Sequence, residues 1–261
     1  MPLTSRQRLA LRNKLYPAAD DRLFAPMNAA LRQFMRPGAA VLDAGAGPGT
    51  WILDRYARQL RLTVGADAGF PADYLAPVNA QTRKELPVLA DLARLPFAAA
   101  SFDVVVCYNV IEHLSDPSAV FREFARLLAP GGAVLFKTPC LTNPTIVASH
   151  LMPFAWHQRI KRRLTSATED GVFPTYYRCN TPAGLERALR DAGLQRHTLI
   201  AVDQTYDYLH FSGLTYGLGL LYSRLTTLPG LGWLGNAIIG VYIRPAVSPD
   251  PALTTPSSAG G

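Results

Sequence analysis

The stretch VLDAGAGPGTW, residues 41–51, decides the fold. An apolar run typical of a buried strand reaches Asp43 and then turns through Gly45, Gly47 and Gly49 before a helical pattern begins. A glycine-rich turn between a strand and a helix is typical of nucleotide-binding loops, because the backbone must approach the ligand closely. The stretch therefore predicts such a loop within an α/β fold.

The composition indicates a folded, basic protein. Of the 261 residues 49% are hydrophobic, which is ample for a buried core, and the net charge is +7. Much of the excess lies in residues 1–36, where seven Lys and Arg are balanced only by Asp20 and Asp21, and in HQRIKRR, residues 157–163. Such clusters predict either an anionic partner (a phosphate-bearing substrate, a nucleic acid or an acidic membrane surface) or an ordinary solvated basic face.

The cysteine pattern and the N-terminus both favour the cytoplasm. Cys107, Cys140 and Cys179 are too widely spaced for a zinc knuckle or a disulfide framework. The first residues, MPLTSRQRLALRNKLYP, lack the apolar core of a secretory signal. We therefore expect a cytoplasmic protein with reduced thiols.

Strand patterns alternate with helical patterns along most of the chain. Helices are predicted at 20–35, 50–59, 117–128 and 181–194, the last with Thr181, Pro182 and Gly193 as capping signals. Strands are predicted at 39–43, 61–67, 86–91, 102–109, 133–139, 195–203 and 237–243. This alternation predicts a doubly wound α/β fold, with a mostly parallel seven-stranded sheet and helices on both faces.

The remaining segments divide the chain into regions. Residues 1–38 are predicted to form an N-terminal helical cap on a domain that spans 39–245. Two insertions interrupt this domain, one at 140–180 after the fifth strand and an apolar one at 208–235 between the last two strands. Low apolar content predicts a disordered tail at 246–261.

The loop differs from a dinucleotide-binding fingerprint. In the pattern G-x-G-x-x-G the third glycine would fall one position later than Gly49, where this chain has Thr50. Asp43 stands two residues before Gly45, and a carboxylate there would repel a pyrophosphate but attract an ammonium or a sulfonium. The loop therefore favours a cationic nucleoside and disfavours a nicotinamide oxidoreductase.

These motifs resemble those of the class I S-adenosylmethionine-dependent methyltransferases, specifically the type 11 group, over residues 39–139. The resemblance implies a Rossmann-like methyltransferase fold and S-adenosyl-L-methionine as the cofactor. It also implies that the loop of Asp43, Gly45, Gly47 and Gly49 wraps the methionine portion. Asp67 matches the acidic residue that holds the ribose hydroxyls, and it independently lies at the spacing of a ribose-binding carboxylate.

Two further segments match the family's cofactor site. In ADLARLPF, residues 90–97, the resemblance implies that Asp91 accepts from the adenine amino group and that Leu92 packs near the ring. Asn109 ends the predicted fourth strand, where α/β sheets place ligand contacts. The alternative role for Asp43, Asp67 and Asp91 is capping of a turn.

Glu112 and His113 raise the question of a metal and of a base. Some quinone methyltransferases of this group bind a divalent cation through E-x-x-E-H, but the first acidic position here is Asn109, so no metal is expected. His113 is predicted either as a general base or as a structural turn residue, and His150 is a second candidate base.

The acceptor is expected to be large. TPCLTNPT (138–145) and FPTYYRCNTPAGL (173–185) resemble segments of methyltransferases in bacterial cell-surface glycan and lipid pathways. This resemblance implies a lipid-linked or glycan acceptor, with O-methylation as the reaction. Nucleic-acid methylation is disfavoured because CYNVIEH replaces the N-P-P-Y type tetrapeptide, and a non-catalytic membrane-associated protein with the same fold remains an alternative.

The apolar insertion 208–235 predicts contact with a membrane surface. Arg224, Pro229 and several glycines break the run, so it is poorly suited to a straight span, whereas its Tyr and Trp residues are typical of membrane interfaces. We expect an in-plane helical hairpin that places the protein peripherally on the inner face of an anionic membrane. The alternative is a buried helical cap or a dimer interface; the oligomeric state itself is not predicted.

Overall fold

The computed structural model describes residues 3–16, 19–47, 49–50, 53–70, 86–151, 174–209 and 212–246. Within these residues the centre is one sheet of seven strands, as the sequence predicts. The strands are β1 (Ala40–Ala44), β2 (Leu62–Asp67), β3 (Leu86–Leu89), β4 (Phe102–Tyr108), β5 (Leu128–Pro139), β6 (Gln195–Val202) and β7 (Ala237–Ile243).

Helices precede the sheet and connect its strands. They are α1 (Ser5–Leu15), α2 (Ala19–Phe34), α3 (Pro117–Leu127), α4 (Pro144–Leu151), α5 (Pro182–Asp191), α6 (Thr205–Tyr208) and α7 (Gly213–Leu225), with 3-10 turns at Ile111–His113 and Gly232–Leu234.

The strand order creates a crevice beside β1. The order is β3-β2-β1-β4-β5-β7-β6, and neighbouring strands are parallel except where they pair with β7. The order reverses between β1 and β4, so the connections leave these strands in opposite directions and open a crevice at their carboxyl ends. Asp43 of β1 lies in register with Gly65 of β2 and Val106 of β4. The glycine turn therefore lies beside the segment that follows β4.

The central strands contribute to two apolar layers, because successive side chains of a strand point to opposite faces. Leu42 and Val105 belong to the layer that includes α3 and α5, whereas Val41 and Val104 belong to the layer that includes α2. All four side chains are fully buried. Burial on both faces explains why these strands are continuous apolar runs in the sequence.

Local chemistry fixes the start of the helices that cover the sheet. The Thr181 hydroxyl accepts from the Gly184 N–H, Pro182 follows, and Gly193 takes a left-handed conformation after the helix, so the predicted capping signals of α5 are confirmed. Asp116 caps α3 in the same way, since its Oδ1 accepts from the Ala119 N–H at 3.0 Å.

The apolar insertion contains one described helix, α7, and the predicted hairpin is wrong. Tyr216 and Leu220 of α7 pack with Tyr206 of α6 and with Tyr16, which follows α1, in a separate apolar cluster. Arg224 of α7 donates to the carbonyl of Leu15 at 3.4 Å. α7 therefore packs against both α6 and α1. Local patterning cannot reveal the contact with α1, because the two helices are 209 residues apart at this bond.

A buried polar network joins both insertions to the sheet. Asp203, after β6, accepts from Ser223 of α7, from the N–H and hydroxyl of Thr205, and from Asn143 after β5. Asn143 also donates to the Leu234 carbonyl at 2.6 Å. Burial raises the pKa of the Asp203 carboxyl, and the donors from Ser223 and Thr205 oppose this rise. A buried carboxylate with this many donors anchors the segments that supply them.

Two predictions differ from the structure in detail. The sequence predicts a helix at 50–59, but the described part forms successive turns closed by bonds between residues three apart, such as Tyr56 N–H to Leu53 C=O; Tyr56 packs onto the layer of α2. β5 begins at Leu128 rather than at 133, since LAPGG continues the strand across an irregularity opposite β4. Apart from Ala246, the predicted tail 246–261 lies outside the described residues, and so does the basic stretch 157–163.

None of the described helices is long and apolar enough to cross a bilayer.

The packing of α7 predicts opposite effects for two of its glycines. A Cβ on Gly219 would lie 2.7 Å from Cα of Tyr206, whereas a Cβ on Gly217 would meet no described neighbour within 4 Å. We expect Gly219→Ala to lower the free energy of unfolding by about 1–3 kcal/mol, because α6 must move. We expect Gly217→Ala to leave it unchanged or raise it by up to about 1 kcal/mol, because alanine favours the helix. Urea denaturation measures both values, and a Gly219→Ala protein as stable as wild type would contradict this packing.

Candidate functional site

Three left-handed glycines shape the turn after β1. Gly45, Gly47 and Gly49 have φ angles of +77°, +49° and +98°, which residues with a side chain rarely adopt. The N–H groups of Gly45 and Ala46 both donate to the Ala66 carbonyl in β2, at 2.8 and 3.2 Å. The turn is therefore folded against the end of the neighbouring strand.

Asp43 holds the end of this turn, at Thr50. Its carboxylate accepts from the Thr50 N–H at 3.1 Å and from the Thr50 hydroxyl at 2.9 Å, and its side chain is fully buried. Burial raises the pKa of Asp43 to about 6; the bonds from Thr50 oppose the rise, and the charge of Asp67 adds to it. Asp43 is thus a buried acid whose charge is only partly compensated.

Asp67, at the end of β2, holds the middle of the turn, at Gly47. One carboxylate oxygen accepts from the Gly47 N–H at 2.9 Å, and the other accepts from the Gly69 N–H at 3.0 Å. A carboxylate oxygen has two acceptor positions. Asp67 therefore has the capacity to accept from ligand hydroxyl groups while it holds the turn.

A cavity of about 630 Å³ opens at the carboxyl ends of β1, β2 and β4. This volume is within the range of small-molecule and cofactor sites. The structure brings seven of the eight predicted cofactor residues to its wall: Gly45, Gly47, Gly49, Asp67, Asp91, Leu92 and Asn109. The eighth, Asp43, is fully buried and does not line the cavity, so its oxygen atoms do not face a ligand there.

The segment after β3 forms one wall. Leu92 is mostly buried and lines the cavity with an apolar side chain. Asp91 is exposed, and its carboxylate accepts from the Ala93 N–H at 2.9 Å. Asp91 thus makes the capping bond of a turn and also borders the cavity.

The segment after β4 forms the opposite wall. Asn109 has a φ of +56°, a left-handed conformation that asparagine tolerates better than most residues, and its N–H donates to the Lys137 carbonyl at 2.8 Å. Val110 then packs against the glycine turn, since a Cβ on Gly45 would lie 2.3 Å from its Cγ2. Position 45 therefore requires glycine both for its φ angle and for this contact.

His113 lines the cavity from the 3-10 turn. Its Nδ1 lies 2.9 Å from the Pro174 carbonyl oxygen. A carbonyl accepts but cannot donate, so Nδ1 carries the proton and the lone pair of the neutral ring is on Nε2. This tautomer is the one that accepts a proton at Nε2, as a general base must.

The end of the insertion after β5 is fixed to the same turn. The Glu112 carbonyl accepts from the N–H groups of Tyr176 and Tyr177, at 2.7 and 3.1 Å, and Tyr177 has a left-handed φ of +50°. Together with the bond between Pro174 and His113, these contacts place residues 174–177 beside the cavity wall. A group bound against His113 would therefore meet this segment.

The Glu112 side chain is buried in the protein and does not line the cavity. Its Oε2 accepts from the Thr138 hydroxyl at 2.9 Å, and that hydroxyl accepts from Nδ2 of Asn180 at 2.6 Å. Burial raises the pKa of Glu112. In the described part of the chain no three His, Cys, Asp or Glu side chains are grouped as metal ligands.

Sequence reasoning missed part of the site. Tyr108, Ser115 and Asp116 also line the cavity, and the polar run after the fourth strand was the signal that could have indicated the last two. The Thr138–Asn180 contact had no local signal, because it joins distant segments. His150, the second predicted base, lies in the last turn of α4, and its side chain is outside the described residues.

The cavity fits the cofactor that the sequence implies. A Cβ on Gly47 would meet no described atom within 4 Å, so the backbone of the turn faces open space. Asp67 and Asp91 provide acceptors for hydroxyl and amino groups, and Leu92 provides an apolar surface. A concave, partly apolar site with a few placed polar groups is typical of nucleoside recognition.

A methyltransferase family and relatives named as methyltransferases match this chain. The family described as "Methyltransferase domain" matches residues 42–136, which include the turn, both walls and His113. Ubiquinone biosynthesis O-methyltransferase from Psychrobacter arcticus is 31% identical over 208 residues, which make up 77% of this chain and 70% of that protein.

Two solved structures share the fold. A methyltransferase from Haloferax volcanii, in complex with the Trm112 methyltransferase activator, has a TM-score of 0.56 and 19% identity over 91% of this chain and 97% of its own. Geranyl diphosphate C-methyltransferase from Streptomyces coelicolor, solved with Mg²⁺, geranyl diphosphate and S-adenosyl-L-homocysteine, has a TM-score of 0.53 and 19% identity over 94% of this chain and 87% of its own.

The relatives and the fold agree with the resemblance predicted from the sequence, and they support S-adenosylmethionine as the cofactor. They favour a methyltransferase over the two other functions considered from the sequence, a nicotinamide oxidoreductase and a non-catalytic protein. The chain belongs to the class I S-adenosylmethionine-dependent methyltransferases of the type 11 group and is an enzyme of methyl transfer.

Proposed function

We propose that this enzyme transfers the methyl group of S-adenosylmethionine to a hydroxyl group of a large, lipid-linked acceptor. The observation that carries the proposal is His113, which lines the same cavity as the glycine turn with Nδ1 at the Pro174 carbonyl. Methylation of a hydroxyl needs a base for its proton. Relatives named for O-methylation in ubiquinone biosynthesis support a hydroxyl acceptor of lipid-like character.

The cofactor occupies the 630 Å³ cavity in this proposal. The backbone of Gly45, Gly47 and Gly49 contacts the methionine portion, and Asp67 accepts from the ribose hydroxyls. Asp91 accepts from the adenine amino group with Leu92 against the ring, and Asn109 borders the nucleoside from the β4 side. Asp43 acts through its charge, which attracts a sulfonium and an ammonium.

His113 removes the proton of the acceptor hydroxyl at Nε2. S-adenosylmethionine, when bound, supplies an activated methyl group on a positively charged sulfur. The Pro174 carbonyl accepts from Nδ1–H and stabilises the imidazolium that forms, while the bonds from Tyr176 and Tyr177 to Glu112 hold the turn that carries the ring. The chain therefore mainly contributes alignment and a proton acceptor.

The acceptor class is tested by labelled methyl transfer. Purified enzyme is incubated with methyl-labelled S-adenosylmethionine and, separately, with lipid, glycan and nucleic-acid fractions of a bacterial envelope and cytoplasm. We expect label in the lipid fraction, where it forms a methyl ether. In the cell, the reaction would take place at the inner face of a membrane. Label confined to the glycan fraction would replace the lipid by the alternative acceptor, and label confined to nucleic acid would overturn the proposal.

The role of Asp67 predicts a loss of cofactor affinity. Asp67→Asn keeps the size of the side chain but removes the charge, so we expect the Kd for S-adenosylmethionine to rise roughly 10- to 100-fold. Asp191→Asn, at an exposed carboxylate that ends α5, is the matched control. Isothermal calorimetry measures both values, and an unchanged Kd in Asp67→Asn would refute the assignment.

The pKa of about 6 for Asp43 predicts a pH-dependent affinity. Below this pH the carboxyl is protonated and neutral; above it the carboxylate attracts the cationic cofactor. Affinity is therefore expected to rise, on the order of threefold to tenfold, as pH increases through about 6. Asp43→Asn should remove the dependence, and S-adenosylhomocysteine, which lacks the sulfonium charge, should show less of it. An equally steep pH profile in Asp43→Asn would assign the effect to another group.

The base role of His113 predicts a separation of binding from turnover. His113→Ala should lower kcat by roughly 100-fold or more, while the Kd for S-adenosylmethionine changes little. Ser115→Ala alters the same cavity wall and is the control, and His150→Ala tests the second candidate. Full turnover in His113→Ala, or a comparable loss only in His150→Ala, would show that His113 is a structural residue of the turn.

A further inference from the structure

The outer face of α7 carries a stripe of exposed leucines. Their spacing of four, three and four residues places them on one side of the helix, and they are between 46% and 75% exposed: Leu214, Leu218, Leu221 and Leu225. The other side of the helix is buried through Tyr216 and Leu220. α7 is therefore apolar on two sides, and the packing of the described chain covers one of them.

The stripe borders a groove, and the loop that follows α7 in the chain carries further exposed apolar residues. A groove of about 360 Å³ runs between α1 and α7, where Leu11 and Leu15 face the leucines of α7 and Arg224 stands at the edge. Beyond the helix, Leu228 and Trp233 are each about half exposed. We call this surface, formed by α1, α7 and residues 226–234, the α1–α7 face.

The charge of the α1–α7 face is of one sign. α1 carries Arg6, Arg8, Arg12 and Lys14, and α7 carries Arg224. The sequence has no Asp or Glu in residues 1–19 or 208–246, and the acids directly flanking these ranges are Asp20, Asp21 and Asp207. An apolar surface bordered by basic residues is complementary to a bilayer with anionic headgroups. The basic side chains bind the headgroups, and the apolar side chains enter the boundary between the headgroups and the acyl chains.

We infer that the α1–α7 face docks this enzyme on an anionic phospholipid bilayer. A second copy of the chain fits this face poorly, since a two-fold contact would bring the same basic helices together and neither α1 nor α7 carries a carboxylate. Trp233, half exposed in the loop after α7, is of a residue type enriched at membrane interfaces. The inference deepens the proposed function, because it names the face that meets the lipid phase of the acceptor; its test requires no acceptor.

The test is co-sedimentation of the full chain with vesicles of phosphatidylcholine, with or without phosphatidylglycerol. One variant, Leu218→Gln/Leu221→Gln, removes apolar contacts; its control is Leu86→Gln/Leu89→Gln, at two similarly exposed leucines of β3. A second variant, Arg6→Gln/Lys14→Gln, removes charge; its control is Arg122→Gln/Arg187→Gln, at exposed positions of α3 and α5. Calorimetry with S-adenosylmethionine verifies that every variant is folded.

We expect wild type to sediment with the anionic vesicles and to remain in solution with phosphatidylcholine alone. Each α1–α7 variant should bind the anionic vesicles at least about tenfold more weakly than wild type. Each cation at the headgroups, or each leucine that enters the bilayer in part, contributes roughly fivefold to the partition coefficient. Both controls should behave as wild type. Equal binding to both vesicles, or undiminished binding by the leucine variant, would overturn the inference. So would analytical ultracentrifugation in which Leu218→Gln/Leu221→Gln converts a dimer to a monomer, since the face would then be a dimer interface. If labelled methyl transfer shows that the acceptor is not lipid-linked, the vesicle result is unaffected. The two proposals can therefore be refuted independently.

Discussion

Two carboxylates at the ends of neighbouring strands hold the turn on which the cavity depends. Asp43, at the end of β1, binds Thr50 beyond the glycines, and Asp67, at the end of β2, binds Gly47 between them. Because β1 and β2 are adjacent, the two like charges lie near each other. Burial raises the pKa of Asp43, the charge of Asp67 adds to this rise, and the bonds from Thr50 oppose it. The turn is thus built with an excess of negative charge beside an open cavity. A cationic ligand relieves that repulsion, whereas a pyrophosphate would add to it.

The parts of the fold that the sequence predicts are those fixed by local chemistry. β7 has the predicted bounds, since its apolar run ends at turn residues, and α5 begins and ends at its capping residues. The wall of the cavity was also predictable, because its residues follow strands whose carboxyl ends meet at one edge. Contacts between distant segments had no such signal. The contact of Tyr56 with the layer of α2 and the contact of Thr138 with Asn180 belong to this second class.

The segment at α7 illustrates a different limit. Its composition fits either a buried cap or a surface that enters a membrane, and from the sequence alone these are mutually exclusive alternatives. In the structure the two sides of the helix differ, since Tyr216 and Leu220 pack inward while the leucine stripe points outward. Gly219 is what permits the inward side, because any side chain there would meet the backbone of Tyr206. One short helix therefore has an intramolecular role on one side and an exposed apolar surface on the other.

The insertion after β5 is anchored at both ends by buried polar groups. Asn143, near its start, joins the Asp203 network, and Asn180, at its end, donates to Thr138 of β5. The bonds from Tyr176 and Tyr177 to Glu112 then set the returning chain against the turn that carries His113. Such anchors cost little where each donor finds a partner, and they fix the ends of a segment independently of the residues between them. Under the proposed function, the cofactor and the acceptor thus meet at the short turn that carries His113. We therefore expect a change within the insertion to alter the acceptor without disturbing the carboxylates that hold the glycine turn.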